Sequence, residues 1–94
     1  MIFKVFWKET EFLRVERVEE LYYTKVITEN IKEVEAEGFP RTFIMNIKVV
    51  EEKLPSIILN RIPSDKRDES DMIDYINSTN CKRVTDFLSV KIED

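Results

Sequence analysis

The residues able to do chemistry in this chain are carboxylates, lysines and one thiol. There is no histidine, which removes Ser-His-Asp and Cys-His catalysis and the usual zinc sites. A single glycine removes any glycine-rich phosphate cradle. The densest carboxylate group is Asp65, Asp68, Glu69, Asp71 and Asp74. Asp68, Asp71 and Asp74 recur at a spacing that shares part of a helix face, and carboxylates of this kind suit a hard cation. Lys66 and Arg67 interrupt the group, and no calcium-loop glycine accompanies it. A metal-dependent enzyme built on Asp68–Asp74 is therefore the least supported reading. A solvated loop with an acidic first helical turn is the better one. Cys81 precedes Lys82 and Arg83, which lower a thiol pKa if they stand close. The competing expectation is a small, buried, inert thiol. No cofactor and no metal ligand set is expected, and the chain is read as non-catalytic.

The other chemistry is recognition. In "MIFKVFWKE" alternation turns Phe3, Val5 and Trp7 to one face and Ile2, Lys4, Phe6 and Lys8 to the other. A large aromatic between two lysines on the face that looks wet is the composition of a binding anchor with a polar rim. It equally suits stacking on single-stranded nucleic acid. A third reading is plain burial of Phe6 under another element, with the lysine stems running past it. Ile44 and Lys48, on the mixed face of a second alternating segment, join Lys4, Phe6 and Lys8 as expected partner-binding residues.

These residues need elements to hold them, and one domain over residues 1–94 is the natural container. Hydrophobic residues at 43% are ordinary and charged residues at 36% are many. A chain this short buries one core and leaves little room for a deep substrate pocket. The net charge of −4 argues against a dedicated duplex nucleic-acid binder. No apolar run approaches the roughly 18 residues of a membrane span. Lys4 and Lys8 interrupt the start that a signal peptide would need, and the one cysteine cannot form an internal disulfide. A cytoplasmic protein is expected. Abundant Glu, Lys and Ile fit a thermophile, while five asparagines and Cys81 pull the other way.

Along the chain, Ile2 to about Leu13 reads as a strand with a break or bulge near Thr10-Glu11. Glu19–Ile27 is read as a strand, although Val15, Val18, Tyr22 and Val26 also fit helical spacing. A helix follows over Glu29–Glu37, with Thr28 as N-cap and Gly38 and Pro40 as stop signals. "TFIMNIKVV" reads as a strand with Phe43, Met45, Ile47 and Val49 on its core side. Pro55 and Pro63 bracket "SIILNRI", an edge strand or ordered loop. After a polar loop, Asp68 or Ser70 caps a helix carrying Met72, Ile73 and Ile76. "DFLSVKIED" closes as a strand. The expected fold is α+β: a small mixed or antiparallel sheet with about two helices packed on it, in the order β-β-α-β-(edge)-α-β. Its buried sheet face is expected to hold Phe3, Val5, Phe43, Met45, Ile47, Leu88, Val90 and Ile92.

"MIFKVFWKET", then Glu16-Arg17, then Leu21-Tyr22, then a capped helix and an alternating strand resembles the small epsilon subunit of RNA polymerase in low-GC Gram-positive bacteria. The resemblance extends to about Val50, and "KLPSIILNRIPSDKRDES" has no counterpart in it. It implies a non-catalytic accessory protein bound to a large enzyme. The residues, and for the first of them the resemblance, support three function classes. The first is a small protein-binding module, an accessory subunit or modulator of a large host enzyme such as RNA polymerase, or a viral or mobile-element protein that binds a host machine. The second is a small nucleic-acid-binding module using Lys4, Phe6 and Lys8. The third is the metal-dependent enzyme weighed above.

Overall fold

The computed structural model describes residues 1–93. Five strands form one antiparallel sheet in the order β4-β3-β2-β1-β5. Strand β1 is Ile2–Trp7, β2 is Thr10–Val18 and β3 is Leu21–Val26. Helix α1 is Ile31–Ala36, β4 is Val50–Glu51, α2 is Ser56–Leu59, α3 is Glu69–Thr79 and β5 is Leu88–Glu93. The fold is α+β, with helices on one face of the sheet, as the patterning predicts. Among the described residues no helix is long and apolar enough to cross a membrane.

The alternating segments form strands because one face of each is apolar. Phe3, Val5 and Trp7 turn inward and pack with Val15, Leu88 and Val90. The expected single strand over Ile2–Leu13 is instead a hairpin. Trp7 pairs with Thr10, and Lys8 turns the chain with a left-handed backbone, φ +56°. Such a φ is uncommon outside glycine, and nothing in the local pattern announces it. The expected irregularity lies just beyond Glu11: the register shifts opposite Val5/Phe6. That bulge lets the consecutive Phe12 and Leu13 both be fully buried. Glu19, φ +58°, closes the second hairpin where Val18 pairs with Leu21.

Helix α1 ends where Gly38 and Pro40 say it should. Gly38 takes φ +90°, its N–H donates to Glu35 O at 3.0 Å, and the Phe39 N–H reaches Val34 O at 2.9 Å. This is a Schellman stop, closed by contact between two buried residues, Val34 and Phe39. The N-terminus differs from expectation. Thr28 starts a short 3₁₀ turn, Thr28–Asn30, and caps nothing with its side chain. Asn30 Nδ2 donates instead to Glu11 O at 2.8 Å and ties the helix to β2. At α3 the expected Asp68 cap forms, accepting from the Asp71 N–H at 2.9 Å.

The expected strand over Thr42–Val50 is the main correction. Arg41–Ile44 is a 3₁₀ turn, Asn46 is left-handed at φ +66°, and only Val50–Glu51 pairs with β3. Phe43 has left the alternating register to pack edge-on against Trp7 and Phe39. Met45 and Val49, expected inside, are 59% and 70% exposed, and Phe43 and Ile47 are half-buried off the sheet. Ile92 is likewise only half-buried. "SIILNRI" is no edge strand: its first four residues are helical, forming α2, and residues 60–62 are an ordered turn. Its Ile58 and Ile62 complete the core.

Replacing Ile58, which has no solvent exposure, by alanine should cost about 2–5 kcal/mol. Met45→Ala should stay within about 0.5 kcal/mol. Urea unfolding of the two variants checks this, and equal losses would contradict the core described.

Candidate functional site

The buried residues of α1, α2 and α3 share one core with the inward residues of the strands, and among the described residues no element forms a second layer on the outer face. Phe6 sits on that outer face, half-buried, beside Lys4 on the same strand. Register with β5 places Ser89 opposite Phe6 and Lys91 opposite Lys4. Lys91 Nζ lies 5.5 Å from the centre of the Phe6 ring. At an exposed site such a cation–π contact contributes about 0.5–1 kcal/mol. Lys4 pairs with Glu93 across the same two strands, and this neighbouring ammonium holds the Glu93 carboxyl below its ordinary value.

Lys8 leaves this arrangement. The left-handed turn swings it towards α1, where Nζ lies 2.7 Å from Glu37 Oε2 and 4.9 Å from the centre of the Phe87 ring. The neighbouring Trp7 indole donates to Glu37 O at 2.9 Å, so the hairpin tip is fastened to the end of α1. The cations bordering Phe6 are therefore Lys4 and Lys91, with Lys8 one step further along. An open trough of about 1010 Å³ runs beside Phe6. Phe6, Lys8 and Lys91 line it together with Phe87, Lys82 and Arg83. It is a surface concavity, wide enough for a chain segment to lie across and too open to enclose a small substrate.

Ile44 and Lys48 are not part of this site. Ile44 lies in the 3₁₀ turn and packs against the core. Lys48 is exposed beside β4, at the far edge of the sheet from β5. Lys91, Phe87, Lys82 and Arg83 escape sequence reasoning because cross-strand register brings them in from the other end of the chain. The only local signal is Lys91 on the outward positions of "LSVKIE".

The loop carrying Lys82, Arg83 and Phe87 is held by Arg61. This guanidinium is 8% exposed, donates from Nη1 to Cys81 O at 3.1 Å and pairs with Asp86. Burial alone would raise the Asp86 carboxyl. The Arg61 hydrogen bond, the Leu88 N–H and the charges of Arg61 and Arg83 outweigh it and hold the carboxyl below its ordinary value. Cys81 is 1% exposed, and burial pushes its thiol up to about 11 although Arg61 and Arg83 pull the other way. It carries no thiolate near neutral pH, and the basic neighbours do not activate it.

The acidic group also resolves into local structure. Asp68 is spent as the α3 cap, and Asp71 is raised because Asp68 hydrogen-bonds to it and repels its charge. Glu69 pairs with Arg17 of β2. Among the described residues no three His, Cys, Asp or Glu side chains converge as a ligand set. No protein-family model, curated protein or solved structure matches this chain.

Removing the Asp86 carboxylate leaves Arg61 buried without its counter-ion, which costs about 3–5 kcal/mol for a buried pair. Because the folded pKa of Asp86 is depressed, this stability is full above the unfolded value, about 3.9. It is lost as pH falls through the depressed folded value. Urea titrations of wild type and Asp86→Ala should therefore differ more at pH 7 than in strong acid. A gap independent of pH would contradict the pairing.

Proposed function

We propose that this chain is a small, non-catalytic, cytoplasmic protein-binding module. On this reading it is an accessory subunit or modulator of a large host enzyme, or a viral or mobile-element protein that binds a host machine. RNA polymerase is the example suggested by the N-terminal residues from "MIFKVFWKET" to Leu21-Tyr22. The observation that carries the reading is Phe6. It stands on a sheet face with no covering layer, bordered by Lys4 and Lys91, while Phe3, Val5 and Trp7 fill the core face of the same strand. Part of its ring stays open to solvent there. A partner supplying an apolar pocket with acidic margins would gain much.

A second reading, binding of single-stranded nucleic acid, is favoured by one feature. Phe6 and Phe87 share the trough with Lys8, Lys82, Arg83 and Lys91, and aromatic and basic side chains together form a stacking surface with phosphate contacts. The acidic net charge and the carboxylates of Glu9, Glu33 and Glu37 in the same trough weigh against it. Oligonucleotide affinity that falls steeply with salt would favour this second reading over the first.

The test begins with affinity capture from host lysate and identification of the retained complex by mass spectrometry. Phe6→Ala should then weaken binding of that complex by about 2 kcal/mol or more, while the fold persists. Lys4→Ala/Lys91→Ala should chiefly alter association rate and salt sensitivity. Unfolding by Phe6→Ala, with unchanged binding by the folded fraction, would make Phe6 an ordinary packing residue and end the proposal.

A further inference from the structure

The two edges of the sheet are finished differently. At β5 the outward backbone groups of Val90 are occupied: the Val90 N–H donates to Asn80 O at 2.8 Å, and Asn80 Nδ2 donates to Val90 O at 3.1 Å. The Leu88 N–H is taken by Asp86 Oδ1 at 3.2 Å. At β4 nothing comparable is present. The Thr24 N–H donates to Val49 O at 2.8 Å, and Tyr22 pairs with Glu51, so the intervening Val50 turns its N–H and C=O away from β3. An open edge with apolar β-branched side chains is a template for another strand. Val50 is 45% exposed and Val49 70%, with Leu21 and Tyr23 exposed on the adjoining strand. The segment also has unused strand-forming pattern, since "NIKVV" alternates and only its last residue lies in β4.

We infer that the occupant of this edge is a second copy of the same chain, paired antiparallel about a two-fold axis through Val50. Two features of the edge select a self-complementary partner. First, the outward N–H and C=O belong to one residue, so two Val50 residues facing each other exchange both hydrogen bonds. Second, the same axis sets Lys48 of each copy opposite Glu52 of the other, because the two flank Val50 symmetrically. Lys48, Val50, Glu52 and Leu21 line one open hollow on the edge. Lys48 and Glu52 are both exposed, and neither has an ion-pair partner within its own chain among the described residues. Glu19 and Glu20, in the turn beside Glu52, add negative charge where the second copy's Lys48 arrives. The interface is isologous, joins two sheets into one and lies at the opposite sheet edge from β5, whose Lys91 contacts Phe6.

Sedimentation equilibrium of the full chain over a concentration series tests this. Wild type should show a reversible monomer–dimer equilibrium. Lys48→Glu should weaken it about tenfold, since two opposite-charge pairs become two like-charge pairs. Lys48→Glu/Glu52→Lys should restore the wild-type constant to within about threefold. Both positions are exposed, and far-UV circular dichroism confirms that the variants fold. As a second readout, the Val50 amide should gain hydrogen-exchange protection as wild-type concentration rises. A wild-type chain monomeric to millimolar concentration overturns the inference. So does a Lys48→Glu variant that associates like wild type, a charge swap that fails to restore association, or a Val50 amide whose exchange ignores concentration.

Discussion

A guanidinium that is 8% exposed has to be paired, and Arg61 sets much of this molecule by that requirement. It projects from the end of α2 into the loop before β5, where Cys81 O and the Asp86 carboxylate receive it. Asp86, held in place, offers its other oxygen to the Leu88 N–H and so fixes where β5 begins. Strand β5 then pairs with β1 along its length, and the pairing delivers Lys91 to the ring of Phe6. The half-exposed aromatic on the first strand thus owes its setting to an ion pair on the opposite face of the sheet. The hydrogen bonds that satisfy one buried charge transmit order from the helical layer to the outer face.

The second organising constraint is that the sheet has only one face to bury. Every apolar residue that the strands turn inward meets α1, α2, α3 or the aromatic group of Trp7, Phe12, Phe39 and Phe43. That aromatic group decides the shape of the middle of the chain. Phe39 and Phe43 pack edge-on at 5.7 Å between ring centres, which needs a tight turn between them, and Pro40 with the 3₁₀ turn Arg41–Ile44 supplies it. A strand there would carry Phe43 along the sheet and away from Trp7. Edge-to-face aromatic contacts contribute about 0.5–1.5 kcal/mol each beyond their burial. Together with the burial of the rings, these contacts favour the turn, against a strand preference that changes with context.

This explains which parts of the fold were legible in the sequence. The α3 cap and the α1 stop were readable because their physics is local: Asp68 reaches its own helix, and Gly38 takes the left-handed φ that few other residues accept. The Thr28 cap expected for α1 does not form. Strand β1 was readable because alternation and burial agree along it, and β5 because Leu88 and Val90 keep their apolar side inward although Ser89 is buried too. The hairpin at Lys8 was not, since a lysine at φ +56° carries no turn signal. The stretch from Thr42 to Val50 was misread because its alternation is real but a distant tryptophan overrules it. At the candidate site, Phe6 and Lys4 were legible on their own strand. Lys91, Phe87, Lys82 and Arg83 were not, because they arrive by antiparallel pairing with the far end of the chain. Lys8 was assigned to the rim of Phe6 by alternation, and the turn moved it to Glu37.

A recognition surface depends on how much freedom its side chains have left to lose. Phe6 stands on a central region of the sheet, with strands on both sides, and the ammonium of Lys91 lies over its ring. Lys4 is already committed to Glu93, and Lys8 to Glu37 with Phe87 beneath it. Ordering a long, mobile side chain at an interface costs about 0.5–1.5 kcal/mol, and here much of that ordering is present before any partner arrives. On the proposed reading, the same pairings set a condition on the partner. Lys4 and Lys8 have their charges answered within the chain, so they offer little new attraction. Lys91, without an ion-pair partner among the described residues, keeps more to offer. The chemistry of this face is therefore that of a rigid aromatic with Lys91 as its nearest uncommitted cation. It matches an apolar pocket with a single acidic margin better than a continuous line of phosphates.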